Sequence, residues 1–137
     1  MRILVLFAHP VETSFASSLH AKLVEVLRAR GHKVDDCDLY AEGFDPVMSR
    51  QDRIDYHNVE VNRRNVAPYV DRLLAAEAIV FSFPVWNMGF PAILKDSSTR
   101  FFCPASASPL AMTAPTIPVF TTSSVSALFA PMAAGGG

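Results

Sequence analysis

The stretch "AIVFSFPVWNMGFPAILK" (positions 78–95) combines the patterns of a strand, a loop and the start of a helix. Its first six residues are apolar except for one serine, which is typical of a strand buried on both faces of a parallel sheet. Pro84 and Pro91 then enclose a loop that contains Trp86 and Gly89. Pro91 suits the first position of a helix, because its missing N–H group would have no partner there. The stretch therefore predicts a strand, a shaped loop and a helix in succession.

The amino-terminal part of the chain repeats this arrangement. The run from Arg2 to Ala8 is apolar and has strand length, so it predicts the first strand. Thr13 or Ser14 can cap the helix that follows, and Gly31 suits the position just after its end. The apolar positions of this helix recur at helical spacing: Leu19, Leu23, Val26 and Leu27.

The middle of the chain completes an alternating pattern. "HKVDDCDLY" (positions 32–40) predicts a second strand, and the polar segment 41–65 predicts a long surface connection with short helical pieces. A second helix has its apolar positions at Val66, Val70, Leu73 and Leu74. Strands that alternate with helices predict an α/β fold with a doubly wound parallel sheet and right-handed crossovers. In such sheets, ligands bind at the carboxyl ends of the strands.

Composition excludes several classes of protein. The 137 residues fit one domain, and a net charge of −1 gives no electrostatic reason to expect a nucleic-acid partner. Cys37 and Cys103 have no metal-ligand spacing, so we expect reduced thiols and no metal site. The apolar run at the amino terminus is too short for a membrane span. We therefore expect a cytoplasmic protein without a transmembrane segment.

The carboxyl-terminal part of the chain differs sharply from the rest. Every charged residue lies within the first 100 positions, and residues 101–137 contain no Asp, Glu, Lys, Arg, His, Asn or Gln. That segment is rich in Ser, Thr, Ala and Pro and has neither strand nor helix periodicity. We therefore divide the chain into residues 1–95, the amino-terminal part of a doubly wound domain, and residues 96–137, a tail of non-native appearance.

Two loops that follow predicted strands carry the candidate binding groups. "AHPVETSF" (positions 8–15) lacks the glycine motifs of dinucleotide and triphosphate sites, but it offers an imidazole, two hydroxyls and the amides of a helix start. Such amides favour a phosphate. "PVWNMGF" (positions 84–90) offers an indole and backbone amides around Gly89 that suit the edge of a flat heteroaromatic ring. A phosphate at one loop and a ring at the other describe a flavin nucleotide.

Each of these side chains also has a structural interpretation. His9 alone is more often a histidine with a structural hydrogen bond at a strand end, Ser14 alone a helix cap, and Trp86 alone a core or rim residue. Glu12, Asp35 and Asp36 are more simply a solvated face than acid and base groups. The combination of loops, not a single residue, carries the prediction.

Three segments extend the argument from residues to a family. "ILVLFAHPVETSFASSLH" (3–20), "DLYAEGFDPVMS" (38–49) and "AEAIVFSFPVWNMGFPAILK" (76–95) together resemble the NAD(P)H:quinone oxidoreductases, or NAD(P)H dehydrogenases (quinone), of the flavodoxin-like fold. The resemblance implies a loop that holds the flavin phosphates and a loop that runs along the isoalloxazine ring. The residues it assigns to cofactor binding are His9, Thr13, Ser14, Phe15, Pro84, Val85, Trp86, Asn87 and Met88.

The resemblance also implies an activity. A bound flavin, FAD or FMN, would carry a two-electron hydride transfer from NADH or NADPH to a quinone or a similar small acceptor, in a homodimer. It assigns no catalytic residue to this chain. The non-catalytic alternatives are an electron-carrier flavodoxin, a regulatory flavoprotein subunit of a potassium-efflux system, and an inactive remnant.

The tail bears on how active the chain can be. The family continues after a segment like "PAILK" with a helix, a strand and a third flavin loop, whereas this chain has three of the five strands expected and then the charge-free tail. With permitted codons, an alternative reading frame of positions 95–135 can encode a helix, a strand and a Thr-Tyr-Gly-Gly loop. We therefore expect a frameshift near Lys95, weak flavin binding and poor quinone reduction.

Overall fold

The computed structural model describes residues 1–101 and the backbone of two short strands, residues 119–122 and 125–128. Three parallel strands form one side of the sheet: β1 (Arg2–Phe7), β2 (Lys33–Asp38) and β3 (Ala78–Ser82). They lie in the order β2-β1-β3, as in flavodoxin-like folds. The predicted α/β class and all three predicted strands are confirmed.

The sheet continues beyond β3 with strands of opposite direction. β5 (Val125–Leu128) pairs antiparallel with β3, and β4 (Val119–Thr122) pairs antiparallel with β5 at the edge. The parallel part of the sheet therefore has the three strands that the sequence predicts, and the two strands of the tail do not extend it in parallel. The other residues after Phe101 lie outside the described part of the chain.

Helix α1 (Phe15–Ala29) connects β1 to β2 and begins and ends where its sequence predicts. The Ser14 hydroxyl accepts a hydrogen bond from the Ser17 amide, so Ser14 is the cap and Thr13 is not. After the last turn, Gly31 has a φ of 81°, a left-handed conformation that glycine adopts without steric cost. The amide of the next residue, His32, bonds back to the Leu27 carbonyl and closes a Schellman motif.

The connection between β2 and β3 contains four short helical pieces. They are α2 (Arg50–Ile54), a 3₁₀ turn (Asp55–His57), α3 (Val59–Arg64) and α4 (Ala67–Ala75). A capping box between Ser49 and Asp52 starts α2, since each side chain accepts a bond from the backbone amide of the other. Helix α5 (Ala92–Phe101) follows β3; it begins one residue after Pro91, whose carbonyl accepts from the Lys95 amide.

Alternate residues of β1 pack on opposite faces of the sheet. Leu4 and Leu6 belong to the larger core cluster, which includes Leu73 of α4 and Leu94 of α5. Ile3 and Val5 belong to a smaller cluster, against which Leu23 and Leu27 of α1 pack. This period of two explains why the strand sequence is apolar throughout, since helices cover both of its faces.

Candidate flavin site

The two candidate loops leave neighbouring strands at the same edge of the sheet. β1 and β3 are parallel and adjacent, with Phe7 opposite Ser82 at their carboxyl ends. The Ala8 amide extends this pairing by donating to the Ser82 carbonyl at 3.2 Å. The sheet register therefore places the loop after β1 beside the loop after β3, as a doubly wound sheet requires of its binding edge.

A ring contact joins the two loops. The imidazole of His9 and the indole of Trp86 meet edge to face, with centroids 5.8 Å apart and an interplanar angle of 61°. This geometry is one that aromatic rings prefer. Trp86 remains 41% exposed in this position, so one part of the indole is available to a ligand.

The first loop is organised around the Nδ1 atom of His9. Nδ1 lies 3.0 Å from the Val11 amide nitrogen, which donates to it, and 3.0 Å from the Ser14 hydroxyl. The Ser14 hydroxyl in turn lies 3.0 Å from that of Ser17, whose own hydroxyl donates to the Val11 carbonyl at 2.8 Å. The imidazole and these hydroxyls therefore hold the loop in shape, which agrees with the structural interpretation of His9 and Ser14.

The start of α1 keeps two backbone donors free. The amides of Phe15 and Ala16 have no acceptor among the described residues, because the Ser14 cap takes the next amide, that of Ser17. Free amides at the positive end of a helix dipole bind anions. Of the groups that the sequence offers for a phosphate in this loop, the two helix-start amides are therefore unoccupied, whereas the Ser14 hydroxyl is engaged as a cap.

The second loop closes in a two-residue turn between Trp86 and Gly89. The Gly89 amide donates to the Trp86 carbonyl at 2.9 Å, and the Trp86 amide donates to the Gly89 carbonyl at 3.1 Å. Asn87 and Met88 have φ values of 47° and 60°, the signature of a type I′ turn. Asparagine tolerates this conformation well, whereas methionine does so at a steric cost.

This turn corrects one expectation about the loop's hydrogen-bond donors. The amide of Gly89 and that of Trp86 bond to each other's carbonyl groups, so neither is available to a ring. The amides of Asn87 and Met88, in contrast, have no acceptor in the described part of the chain. The donors that the loop can offer a flat ligand are therefore the two amides in the middle of the turn.

Both loops also expose large apolar side chains, which are called the apolar rim here. Large exposed apolar side chains from both loops form it: Val11, Phe15, Val85, Trp86, Met88 and Phe90. Met88 is 98% exposed and Phe15 is 72% exposed. Exposed apolar side chains that gather at one edge are typical of a ligand or partner site.

The nine predicted site residues differ in what the structure assigns to them. His9, Ser14 and Trp86 take part in the contacts described above, and Asn87 and Met88 form the turn. Thr13, Phe15 and Val85 are exposed at the same edge of the sheet, and Pro84 is half-buried there. Their role in cofactor binding stays a prediction.

A cavity next to the first loop was not apparent from the sequence. It has a volume of about 400 Å³ and lies where β1 and β2 end. Its wall includes His9, Ser17 and His20 from the β1-α1 segment and Asp38 and Tyr40 from the end of β2. The one feature of the sequence that hinted at this cavity was His20, a polar residue on an otherwise apolar helix face.

Behind this edge, charged side chains fix helix α4 to β2. Arg72 bonds to the carboxylates of Asp35 and Glu42 at 2.7 and 2.8 Å. The thiol of Cys37 lies nearby, and its burial, together with the negative charges of Glu42 and Asp35, raises its pKa to about 12. The hydrogen bonds to both carboxylates raise the pKa of Arg72 despite its partial burial. Cys37 is therefore an unreactive thiol, as expected of a reduced buried cysteine.

Comparison with known proteins agrees with this architecture. A family model described as "Flavodoxin-like fold" matches residues 1–97, so the chain belongs to the flavodoxin-like family. The chain is 33% identical to NAD(P)H dehydrogenase [quinone] 1 of Rattus norvegicus, in an alignment that covers 69% of the chain and 40% of that protein. The resemblance to NAD(P)H:quinone oxidoreductases that the sequence motifs indicate is therefore confirmed.

Solved structures give the same result. An NAD(P)H:quinone oxidoreductase from Methanothermobacter marburgensis is 28% identical with a TM-score of 0.69, over 77% of this chain and 55% of that one. An azoreductase from Bacillus anthracis is 25% identical with a TM-score of 0.54, over 73% of this chain and 54% of that one. The chain thus spans about half of the length of the proteins it matches.

Among the described residues, no helix has the length and apolar character that crossing a membrane requires.

Proposed function

We propose that the edge formed by the two loops binds a flavin nucleotide, FMN or FAD, and that the chain derives from a flavin-dependent NAD(P)H:quinone oxidoreductase. The observation that supports this most is the contact between His9 and Trp86, which joins a loop with free helix-start amides to a loop with an exposed indole. The residues present fit the group, since a phosphate and a flat ring require these two kinds of surface.

Each part of the site has a distinct task in this proposal. The amides of Phe15 and Ala16 would bind the flavin phosphate, and the His9 network would hold their loop in position. The amides of Asn87 and Met88 would donate to the pyrimidine edge of the ring, where preorganised donors stabilise negative charge. The apolar rim would exclude water from the ring. When bound, a flavin accepts hydride from NAD(P)H and delivers it to an acceptor.

A quinone is the acceptor that the relatives' names favour, and the azoreductase likeness adds azo compounds as a second class to assay. The test is a steady-state assay of the chain with added flavin, NADH or NADPH, and either a benzoquinone or an azo dye. We expect slow turnover, with one hydroquinone formed per NAD(P)H oxidised, and faster reaction with the quinone. Rates no higher than those of free flavin would contradict the proposal.

We also propose that residues 96–137 replace the part of the family's domain that completes the flavin site, as the result of a frameshift. The change in composition at about position 100 supports this. Sequencing the gene from codon 95 onward tests it. An alternative frame that stays open and encodes charged strand and helix patterns is expected. An alternative frame that closes at once would contradict the frameshift.

A further inference from the structure

Residues 10–13 of the first loop are attached to the rest of the molecule through the backbone of Val11. The side chains of all four residues are exposed, so packing does not fix them. The Val11 amide donates to Nδ1 of His9 at 3.0 Å. The Val11 carbonyl accepts from the Ser14 amide at 3.2 Å and from the Ser17 hydroxyl at 2.8 Å. The shape of this exposed segment therefore depends on a few hydrogen bonds to a single residue.

The bond from Ser17 is the shortest of these bonds, and its direction is fixed. A carbonyl oxygen only accepts, so a contact of 2.8 Å between the Val11 carbonyl and the Ser17 hydroxyl requires the hydroxyl proton. The Ser14 hydroxyl, in contrast, lies 3.0 Å both from Nδ1 of His9 and from the Ser17 hydroxyl, so its proton has two alternative acceptors. Ser17 is therefore the hydroxyl that holds Val11 whichever way the Ser14 proton points.

Ser17 also marks one end of the segment with the free amides. Phe15 and Ala16 lie between Ser14 and Ser17, and the Ser17 amide donates to the Ser14 hydroxyl at 3.1 Å. Residues 10–13 lead directly into this segment. A loop without its bond to Ser17 would have to be ordered when a phosphate binds to the two amides, and such ordering weakens binding.

We propose that Ser17 is a positioning residue for the flavin phosphate, because its hydroxyl holds the Val11 carbonyl and so preorganises the first loop around the amides of Phe15 and Ala16. This inference rests on the proposed function, since the phosphate belongs to the flavin nucleotide proposed above. Ser17 acts through the loop and needs no contact with the flavin. The ring lies with the second loop, whose turn has hydrogen bonds of its own between Trp86 and Gly89.

A comparison of FMN with riboflavin tests the proposal, because only FMN carries a phosphate. Ser17→Ala removes the hydroxyl but keeps the amide that bonds to Ser14, so the helix cap remains. In titrations followed by Trp86 fluorescence, we expect this variant to bind FMN about fivefold more weakly and riboflavin within about twofold of the unaltered chain. A merely structural loss would weaken the binding of both flavins alike.

Two further variants serve as controls. Ser18→Ala removes the hydroxyl of the next residue, which donates to the Ser14 carbonyl inside the helix at 3.3 Å, and it should bind FMN like the unaltered chain. Ser17→Thr keeps a hydroxyl at position 17. Its extra methyl group has room, because Ser17 lines the cavity of about 400 Å³ beside the loop. This variant should bind FMN within about twofold of the unaltered chain.

Three results would overturn the proposal. They are an unchanged FMN affinity in Ser17→Ala, an equal weakening of FMN and riboflavin in that variant, and a loss in Ser18→Ala as large as that in Ser17→Ala. The unaltered chain distinguishes these results from failure of the proposed function. If it binds no FMN, the flavin site itself is refuted and this inference with it, whereas the three results above concern Ser17 alone.

Discussion

Replacing Arg72 with methionine tests how strongly helix α4 is fixed to the sheet. The guanidinium of Arg72 bonds to Asp35 and Glu42 at 2.7 and 2.8 Å and donates to the Asp36 carbonyl at 3.1 Å. Methionine keeps most of the apolar stem, so the substitution removes mainly charge and hydrogen bonds. It leaves two carboxylates that are 37% and 32% exposed without their cation.

The expected loss follows from this partial burial. Hydrogen bonds to buried charges contribute about 1.5 to 3 kcal/mol each, and exposed ion pairs about 0.2 to 1 kcal/mol. Because Arg72 is itself 24% exposed, we assign a contribution of about 1 kcal/mol to its bond with each carboxylate and somewhat less to its bond with the carbonyl. The free energy of unfolding should therefore fall by about 2 to 3 kcal/mol. At a urea m-value of about 1.5 kcal/mol/M, the midpoint should fall by roughly 1.3 to 2 M.

Arg63→Met provides the matched control in a urea titration followed by circular dichroism. Arg63 pairs with Asp71, but the two side chains are 41% and 61% exposed, so its loss should cost less than about 1 kcal/mol. The reasoning would be refuted if Arg72→Met lowered stability no more than Arg63→Met does. An unchanged m-value in both variants would show that the comparison concerns stability alone.

Three further predictions concern a thiol, a helix cap and a turn. In a Cys103→Ser variant, Cys37 should react with a thiol reagent at pH 8 only on unfolding, since a pKa of about 12 leaves roughly one thiolate in ten thousand; rapid labelling of the native chain would contradict this. Hydrogen bonds from the Ser49 side chain and backbone lower the pKa of Asp52. The contribution of the ionised Asp52 carboxylate to stability is therefore present above the unfolded pKa of about 3.9 and is lost as pH falls through the folded pKa. Asp52→Ala should therefore cost up to about 1 kcal/mol at pH 7 and less at acid pH, where the carboxyl becomes protonated. An equal loss at both pH values in thermal melts would argue against the capping box. Met88→Ile should lower stability by about 1 kcal/mol and Met88→Gly should not, because a β-branched residue tolerates a φ of 60° poorly; equal midpoints in urea for both variants would contradict the strained turn.

The regular part of the fold was predictable because local signals agree with tertiary packing. The apolar runs of β1 and β3 are covered on both faces, and Ser14 and Gly31 mark the ends of α1 in the way their chemistry favours. The long polar segment before α4 was also correctly assigned to a connection with short helices. These features depend on residues that are neighbours in the sequence.

The site was less predictable because its details depend on contacts between distant segments. The pairing of Trp86 with Gly89 removes the glycine amide that the sequence suggested as a donor, and "NM" lacks the glycine that signals such a turn. The cavity at Asp38 requires β2 to lie beside β1, so its residues cannot be grouped from spacing alone. The aromatic contact between His9 and Trp86 likewise joins positions far apart in the chain.

Fluorescence of Trp86 during a flavin titration tests the central claim most directly, because the chain contains a single tryptophan. If the two loops bind a flavin nucleotide, FMN and FAD should quench this emission saturably, and riboflavin, which lacks a phosphate, should bind at least about tenfold more weakly. An Asp71→Asn variant, altered at an exposed position away from the loops, should behave like the unaltered chain. Emission that falls only in proportion to flavin absorbance, or riboflavin binding as tight as that of FMN, would contradict the account.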